Sequence, residues 1–400
     1  MSTLLSLPPE LLQLITDTLY SVVWDPALRR REGLNLALAC KALLPYGTAL
    51  IYRDLSLRGL EHDVLFRRLV ERVEVPPLVT SLTYSDSRAS PSPTRLALLE
   101  RLLPACTALQ ALHVYACPAT INRLFGAKGR LLPAATVTSL TLRSVPFLSA
   151  LDIGPVLSTL SRFTALRHLD LLVSLPLLPS PCPPNPASSL RMPLRTLALS
   201  FPPSNASNRH AEYHVLEDLV ALFDPSMLKE ADLRIATAEP ALFAYLSSLS
   251  SLTDLKLHLQ HDTVDTSLPL LTSTLPSLTS LRYLTLRQRV LRVPRPVPSP
   301  SSDLALFLAA LPPTLESLNT SRFFPAGWRA APVSDFLQSR ARDGARLRRF
   351  VCEVPDEEAT SVVAAVPSRT GAVVGRPCEV QRVETGEGRW MWVEVSTSSD

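Results

Sequence analysis

The feature that most constrains this chain is a six-residue pattern, apolar-x-x-apolar-x-apolar, that returns ten times at intervals of 24 to 34 residues. It reads VTSLTY from Val79, LQALHV from Leu109, VTSLTL from Val137, LRHLDL from Leu166 and LRTLAL from Leu194. It goes on as LKEADL from Leu228, LTDLKL from Leu252, LRYLTL from Leu281, LESLNT from Leu315 and LRRFVC from Leu347. One match means little where Leu is common, but ten at near-constant spacing make an internal repeat. Alternation within each match predicts a short strand whose fourth and sixth side chains face inward.

Between the strands lie helical stretches at Thr94–Leu103, Gly154–Ser161, His214–Phe223, Pro240–Leu249, Asp303–Leu311 and Val333–Arg342. A strand, a turn and a helix in each period is the leucine-rich-repeat unit, so the expected fold class is α/β, a leucine-rich-repeat solenoid. The Asn or Cys that regular repeats carry after the motif is mostly missing, so the array reads as an irregular one. A doubly wound sheet would need Gly-rich turns at its strand ends, and 12 Gly in 400 residues do not supply them. We expect repeats over 79–353, a linker helix over 59–78 and a C-terminal cap over 354–400. In that cap Cys378–Val383 and Arg389–Val395 alternate around a Gly-containing turn, which predicts a β-hairpin. Trp390 and Trp392 share one of its faces and suit packing against the open end of the array.

Residues 1–58 contain no match among these ten and obey a different grammar. Leu7-Pro8-Pro9-Glu10 is a good helix start, because Pro tolerates the first turn and Glu10 suits its positive end. Leu11, Leu12, Ile15 and Leu19 then give an apolar stripe. A loop from Tyr20 to Gly33 is expected next, and after it helices over Leu34–Lys41 and Pro45–Tyr52. So small a module must lean on the repeats, a partner or both.

The string from Leu7 through Leu12 and Ile15 to Leu19 resembles the opening of an F-box. Leu36-Ala37-Leu38-Ala39-Cys40-Lys41 is similar to that family's second segment, and Leu50-Ile51-Tyr52-Arg53-Asp54-Leu55 to its closing one. The resemblance covers the whole module, and the repeats after it match the F-box/leucine-rich-repeat arrangement. It implies a substrate-recognition adaptor that docks on the Skp adaptor of a cullin–RING ubiquitin ligase, with Leu7, Pro8, Leu11, Ile15, Leu36, Cys40 and Tyr52 as contacts. Leu36 and Cys40 serve equally well as packing between the three helices. It further implies that the repeats hold an unknown protein target. On a concave strand wall, the third, fifth and seventh motif positions face that target, which selects Tyr115, Arg143, His168, Asp170, Arg234, Lys256, Tyr283 and Arg287. The rival reading is a ligase-independent scaffold or inhibitor whose N-terminal helices only cap the repeats. Exposure of the stripe Leu11, Ile15 and Leu19 separates the two.

Other functions find little support in the sequence. No nucleophile elbow, phosphate-binding loop or HExxH motif occurs, so no enzyme and no cofactor is expected. The six Cys form no CxxC pair, which leaves free thiols and no zinc cluster. His210 with His214, and His258 with His261 and Asp262, fall short of the three or four convergent ligands a zinc site needs. Net charge is only +4, and the Arg runs at 287–295 and 340–349 lack interleaved aromatics, so no nucleic-acid partner is expected. The opening segment has no basic start and no stretch reaches the length of a membrane span, so we expect no membrane and a cytoplasmic or nuclear protein. Leu175–Pro193 and Pro294–Ser302, rich in Pro and Ser, are expected to be mobile insertions.

Overall fold

The computed structural model describes residues 7–22, 25–58, 63–72, 74–86, 93–126, 132–144, 153–172, 191–200, 219, 221–235, 240–259, 264–288, 301–320, 323, 335–336, 339, 346–352, 378–384 and 390–395. It forms two compact units, Met1–His168 with Ser180–Met192, and Leu169–Pro179 with Pro193–Asp400.

The first unit opens with three helices, α1 (Pro9–Val22), α2 (Pro26–Ala39) and α3 (Leu44–Tyr52). The second of these corrects the expectation of a loop from Tyr20 to Gly33. The Asp25 side chain caps the helix by accepting from the Ala27 N–H, and Pro26 sits in the first turn. That pair starts a helix even though the next residues are an Arg-rich stretch without an apolar stripe. Helices α2 and α3 cross at close range through two glycines. A Cβ on Gly47 would lie 2.4 Å from the Ala37 nitrogen and 2.4 Å from the Gly33 carbonyl oxygen.

The sheet of this unit begins within the segment assigned to the helical module. Strand β1 (Asp54–Arg58) pairs in parallel with β2 (Ser81–Ser85), which pairs with β3 (Ala111–Ala116), and that with β4 (Ser139–Ser144). Read from Tyr52, the segment YRDLSL is an eleventh copy of the motif, hidden by the aromatic in its first position. The hydrogen bonding places it in the same register as the others. The carbonyl at the second motif position accepts from two successive N–H groups of the next repeat. Thr80 and Ser81 donate to Arg53, Gln110 and Ala111 to Thr80, Thr138 and Ser139 to Gln110, and Arg167 and His168 to Thr138. Helices α4 (Asp63–Glu71), α5 (Pro93–Ala105), α6 (Pro118–Phe125) and α7 (Ile153–Leu160) separate the strands in sequence. In the stretch expected to be a linker helix, α4 is succeeded by a short 3-10 turn over Pro76–Leu78. Strand β5 (His168–Leu172) contains the division between the units.

In the second unit β6 (Thr196–Ser200), β7 (Glu230–Ile235), β8 (Asp254–Leu259), β9 (Tyr283–Gln288), β10 (Ser317–Asn319) and β11 (Arg349–Cys352) run parallel. The same two-to-one hydrogen bonding recurs on the carbonyls of Arg195, Lys229, Thr253, Arg282 and Glu316. Helices α8 (Pro240–Ser247), α9 (Val264–Thr274) and α10 (Ser301–Ala310) separate strands here. The last of these starts at Ser301, inside the stretch read as a Pro/Ser-rich loop. The expected hairpin is present: β12 (Cys378–Glu384) is antiparallel to both β11 and β13 (Trp390–Val395). The Trp390 and Trp392 side chains, residues 173–190 of the first Pro-rich stretch, and most of the helices expected at His214–Phe223 and Val333–Arg342 lie outside the described residues.

The motif residues fill the core as their spacing predicts. Leu109, Leu112 and Val114, and likewise Leu252, Leu255 and Leu257, are each at most 1% exposed. Each such Leu is worth roughly 1.5–3 kcal/mol of transfer free energy, so the repeat set dominates stability. Phenylalanines thicken this layer, with Phe125 stacked on Phe163 at 6.5 Å in the first unit and Phe223 edge-on to Tyr245 at 6.2 Å in the second. The fold is α/β, a parallel sheet built from leucine-rich repeats.

Candidate functional site

Two surfaces of the described residues hold the side chains selected from the sequence. On α1 the stripe divides. Leu12 and Thr16 face inward, and the Thr16 hydroxyl donates to the Leu12 carbonyl at 2.8 Å. Leu11 and Ile15 face out, 44% and 39% exposed, while Leu19 is half-buried. Of the remaining candidates, Pro8 is exposed, and Leu7, Leu36, Cys40 and Tyr52 are half-buried. Other apolar side chains that the sequence pattern did not single out are exposed as well: Leu14 on α1, Leu34 and Leu38 on α2, and Leu44 at the start of α3. The signal was present in the i, i+3 and i+4 spacings of Leu11, Leu14 and Ile15 and of Leu34 and Leu38, which put them on shared helix faces. Eight of the ten large apolar side chains exposed among the described residues fall between Leu11 and Leu44.

The opposite side of these helices is tied to the first strand by charge. The Tyr20 hydroxyl donates to Asp54 at 2.6 Å, and Arg29 pairs with the other oxygen of the same carboxylate. Arg53 pairs with Asp17 at 2.5 Å. The Tyr20 ring lies between the guanidinium groups of Arg29 and Arg53, at 4.5 and 4.0 Å from its centroid. Burial and the Asp54 carboxylate both hold the Tyr20 phenol above its ordinary pKa, and the hydrogen bond from Arg53 holds the Asp17 carboxyl below its own. Asp54 is the third residue of the first repeat, so the helices contact the outward row at the start of its first strand.

The second surface is the row of third, fifth and seventh motif positions on the strands. In the first unit Tyr115 and Arg143 are paired in register, with the Arg143 guanidinium 5.9 Å from the Tyr115 ring centre. Two residues earlier on each strand, His113 Nδ1 and Thr141 Oγ1 are 3.0 Å apart. His168, exposed, and Asp170, half-buried, fall on β5 on either side of the unit division. In the second unit, β7, β8 and β9 bring together Arg234, Lys256, Tyr283 and Arg287, with Glu230, Asp232, Asp254 and His258 among them. Asp232 Oδ1 lies 3.5 Å from Arg234 Nε and 3.8 Å from His258 Nε2. Tyr283 is 44% exposed, and its hydroxyl donates to Glu316 at 3.5 Å. Asp232, Asp254 and His258 also belong to the outward row that the motif positions give, and the register adds Glu230 beside Asp254.

Chemistry beyond binding finds no constellation among the described residues. They contain no group of three or more His, Cys, Asp or Glu placed to hold a metal ion, and no helix among them is long and apolar enough to cross a membrane. Cys40, Cys106 and Cys117 are free thiols, and burial pushes Cys106 up to about 12. His210, His214, His261 and Asp262 lie outside the described residues.

No protein-family model and no curated protein matches the sequence. Among solved structures, the chain is similar to the leucine-rich repeat-containing protein LegL7 from Legionella pneumophila, at 16% identity and a TM-score of 0.36, over 76% of this chain and 87% of that one. It is also similar to the protein of a TLR13–ssRNA13 complex, at 13% identity and a TM-score of 0.26, over 70% of this chain and 45% of that one.

Proposed function

We propose that this chain is a non-catalytic substrate-recognition adaptor, in which the N-terminal helices dock on a Skp-type adaptor of a cullin–RING ubiquitin ligase and the repeats hold a target protein. The observation that carries the reading is the concentration of exposed apolar side chains on α1, α2 and the start of α3. A helical face of this kind left in water is costly and prone to self-association, whereas entry into a hydrophobic groove of a partner removes it from solvent. The motif resemblance at Leu7–Leu19, Leu36–Lys41 and Leu50–Leu55 is the reason for choosing this class of partner. No cofactor enters this reading, and its setting is the cytoplasm or nucleus.

A second reading has its own observation. The cluster of Tyr20, Arg29, Arg53, Asp17 and Asp54 closes the first repeat, as a cap would. On that reading the chain is a leucine-rich-repeat scaffold or inhibitor that works without a ligase. The two part on one measurement with purified Skp adaptor. The full chain should bind it, and Leu11→Asp with Ile15→Asp should abolish binding while the thermal transition stays in place. A folded wild-type chain that ignores the purified adaptor sinks the ligase reading and leaves the scaffold.

A further inference from the structure

The strand face of the second unit carries two opposed lines of charge. The third motif positions of β7 and β8 hold Glu230 and Asp254, while the seventh positions of β7, β8 and β9 hold Arg234, His258 and Arg287. Four residues along a strand separate the lines by about 13 Å, and neighbouring strands set members of a line roughly 5 Å apart. Between the lines, Asp232 and Lys256 stand side by side, and Asp232 turns to Arg234 and His258. Arg287 and Lys256 are exposed and have no hydrogen-bond or ion-pair partner among the described residues. Tyr283 stands beside Asp254 in register, exposed at the acidic line.

One group in each line, Asp254 and His258, stands where its charged form is disfavoured. Burial, with Glu230 and Asp232 adding to it against Lys256, holds the Asp254 carboxyl above its usual range, so a cation at that spot would relieve it. Burial also lowers the His258 imidazole. Of the charges facing it, Asp232 on β7 opposes that shift, and Arg234 on β7, Lys256 on β8 and Arg287 on β9 reinforce it. An anion there would act with Asp232 against that lowering. The two groups call for charges of opposite sign and lie about one helix diameter apart, since a helix with its side chains is about 10–12 Å wide.

We propose that β7, β8 and β9 bind a helical segment of the target protein whose two long edges carry opposite charge, its acidic edge over Arg234, His258 and Arg287 and its basic edge over Glu230 and Asp254. This deepens the reading of the repeats as the target-holding surface and rests on it. Such a segment gains specificity from charge register, because the same residues in another order set like charges together. A bound acidic edge raises the His258 pKa above its free value. The gain in affinity is then fully present below the free pKa and is lost as pH rises through the bound one.

The test uses the full chain and a stapled synthetic helix of about 20 residues with Glu along one edge and Lys along the other, beside an isomer of the same composition in shuffled order. In fluorescence anisotropy at low salt, the patterned helix should bind about tenfold tighter than the isomer, and tighter at pH 5.5 than at pH 8. Arg234→Glu with Arg287→Glu should remove the preference, as should Glu230→Lys with Asp254→Lys. Arg287→Gln alone, at an exposed side chain with no partner among the described residues, should reduce it in a chain that still folds. Equal binding of the isomer, equal binding of a purely acidic helix, or a preference that survives both charge reversals overturns the proposal. Binding of purified Skp adaptor, measured on the same preparations, separates this result from the adaptor reading: a wild-type chain that binds the adaptor but shows no helix preference refutes this inference alone.

Discussion

Leu255, in the fourth position of its motif, is 1% exposed, whereas Leu38 on α2 is 75% exposed. Both sit in apolar patterns that look alike on paper, yet one is sealed between a sheet and its helices and the other faces water. The repeats bury their apolar residues against the next copy of themselves, so each supplies its neighbour's missing wall. Among the described residues, the helical module has no such neighbour on its outer side. Its inner side is held by a different chemistry: Arg29, Arg53 and Tyr20 on the carboxylates of Asp54 and Asp17, and a glycine-lined helix crossing. A region that stays folded with its leucines exposed has those leucines free for something else. The contrast therefore places the buried apolar core in the repeats and leaves the outer leucines of the module in water.

The sharpest way to break this comparison is to truncate one leucine on each side of it. Leu255→Ala should cost about 2–5 kcal/mol in urea unfolding, whereas Leu38→Ala should stay within about 0.5 kcal/mol. Equal losses would mean that Leu38 is buried in solution and the module's outer face is closed. Next in size, Gly47→Leu drives a side chain into the backbone of α2 at Ala37 and Gly33. It should destabilise the module by about 1–3 kcal/mol, seen as faster amide exchange in α2 and α3 with β7 to β9 unchanged. Exchange that rises throughout the chain would show the module and repeats to be one cooperative structure. The smallest effect is at Asp17, whose carboxylate is 45% exposed, so that solvent screening limits its pair with Arg53 to about 0.2–1 kcal/mol. Its folded pKa is depressed, so this contribution is present above the unfolded value near 3.9 and disappears as pH falls through the folded one. Asp17→Asn should therefore lower the melting temperature slightly at pH 7 and match the wild type at pH 2. A difference that persists at pH 2 would assign the effect to packing.

Much of the fold was legible in the order of residues. Strand positions and inward faces came from the Leu spacing, and the hairpin at Cys378–Val395 from its alternation around a turn. Two readings failed for identifiable reasons. Helix α2 was placed eight residues too late because its first turns carry Pro26, Arg29, Arg30 and Arg31 instead of an apolar stripe, although Asp25-Pro26 marks a helix start. The first repeat was assigned to the module because Tyr52 occupies the position that Leu or Val holds elsewhere. The chosen contact Leu36 proved half-buried while its neighbours Leu34 and Leu38 face out, since the rotation of a short helix is set by its crossing partner.

What the sequence determined by itself was periodicity: a side chain's inward or outward direction in a strand depends only on its place in a local alternation. Only the tertiary structure decided which side chains from different repeats become neighbours. Glu230, Asp254, Arg234, His258 and Arg287 are spread over 58 residues; the repeat puts them at outward positions, and strand pairing makes them neighbours. Their lines form because each second-position carbonyl accepts from two N–H groups of the next repeat, which fixes the register of one strand on another. The same holds for Asp54 beneath Tyr20 and Arg29, where helices and strand come together through charges far apart in the chain. Local sequence sets direction, whereas proximity is set by interstrand hydrogen bonds and helix crossings that a linear pattern does not encode.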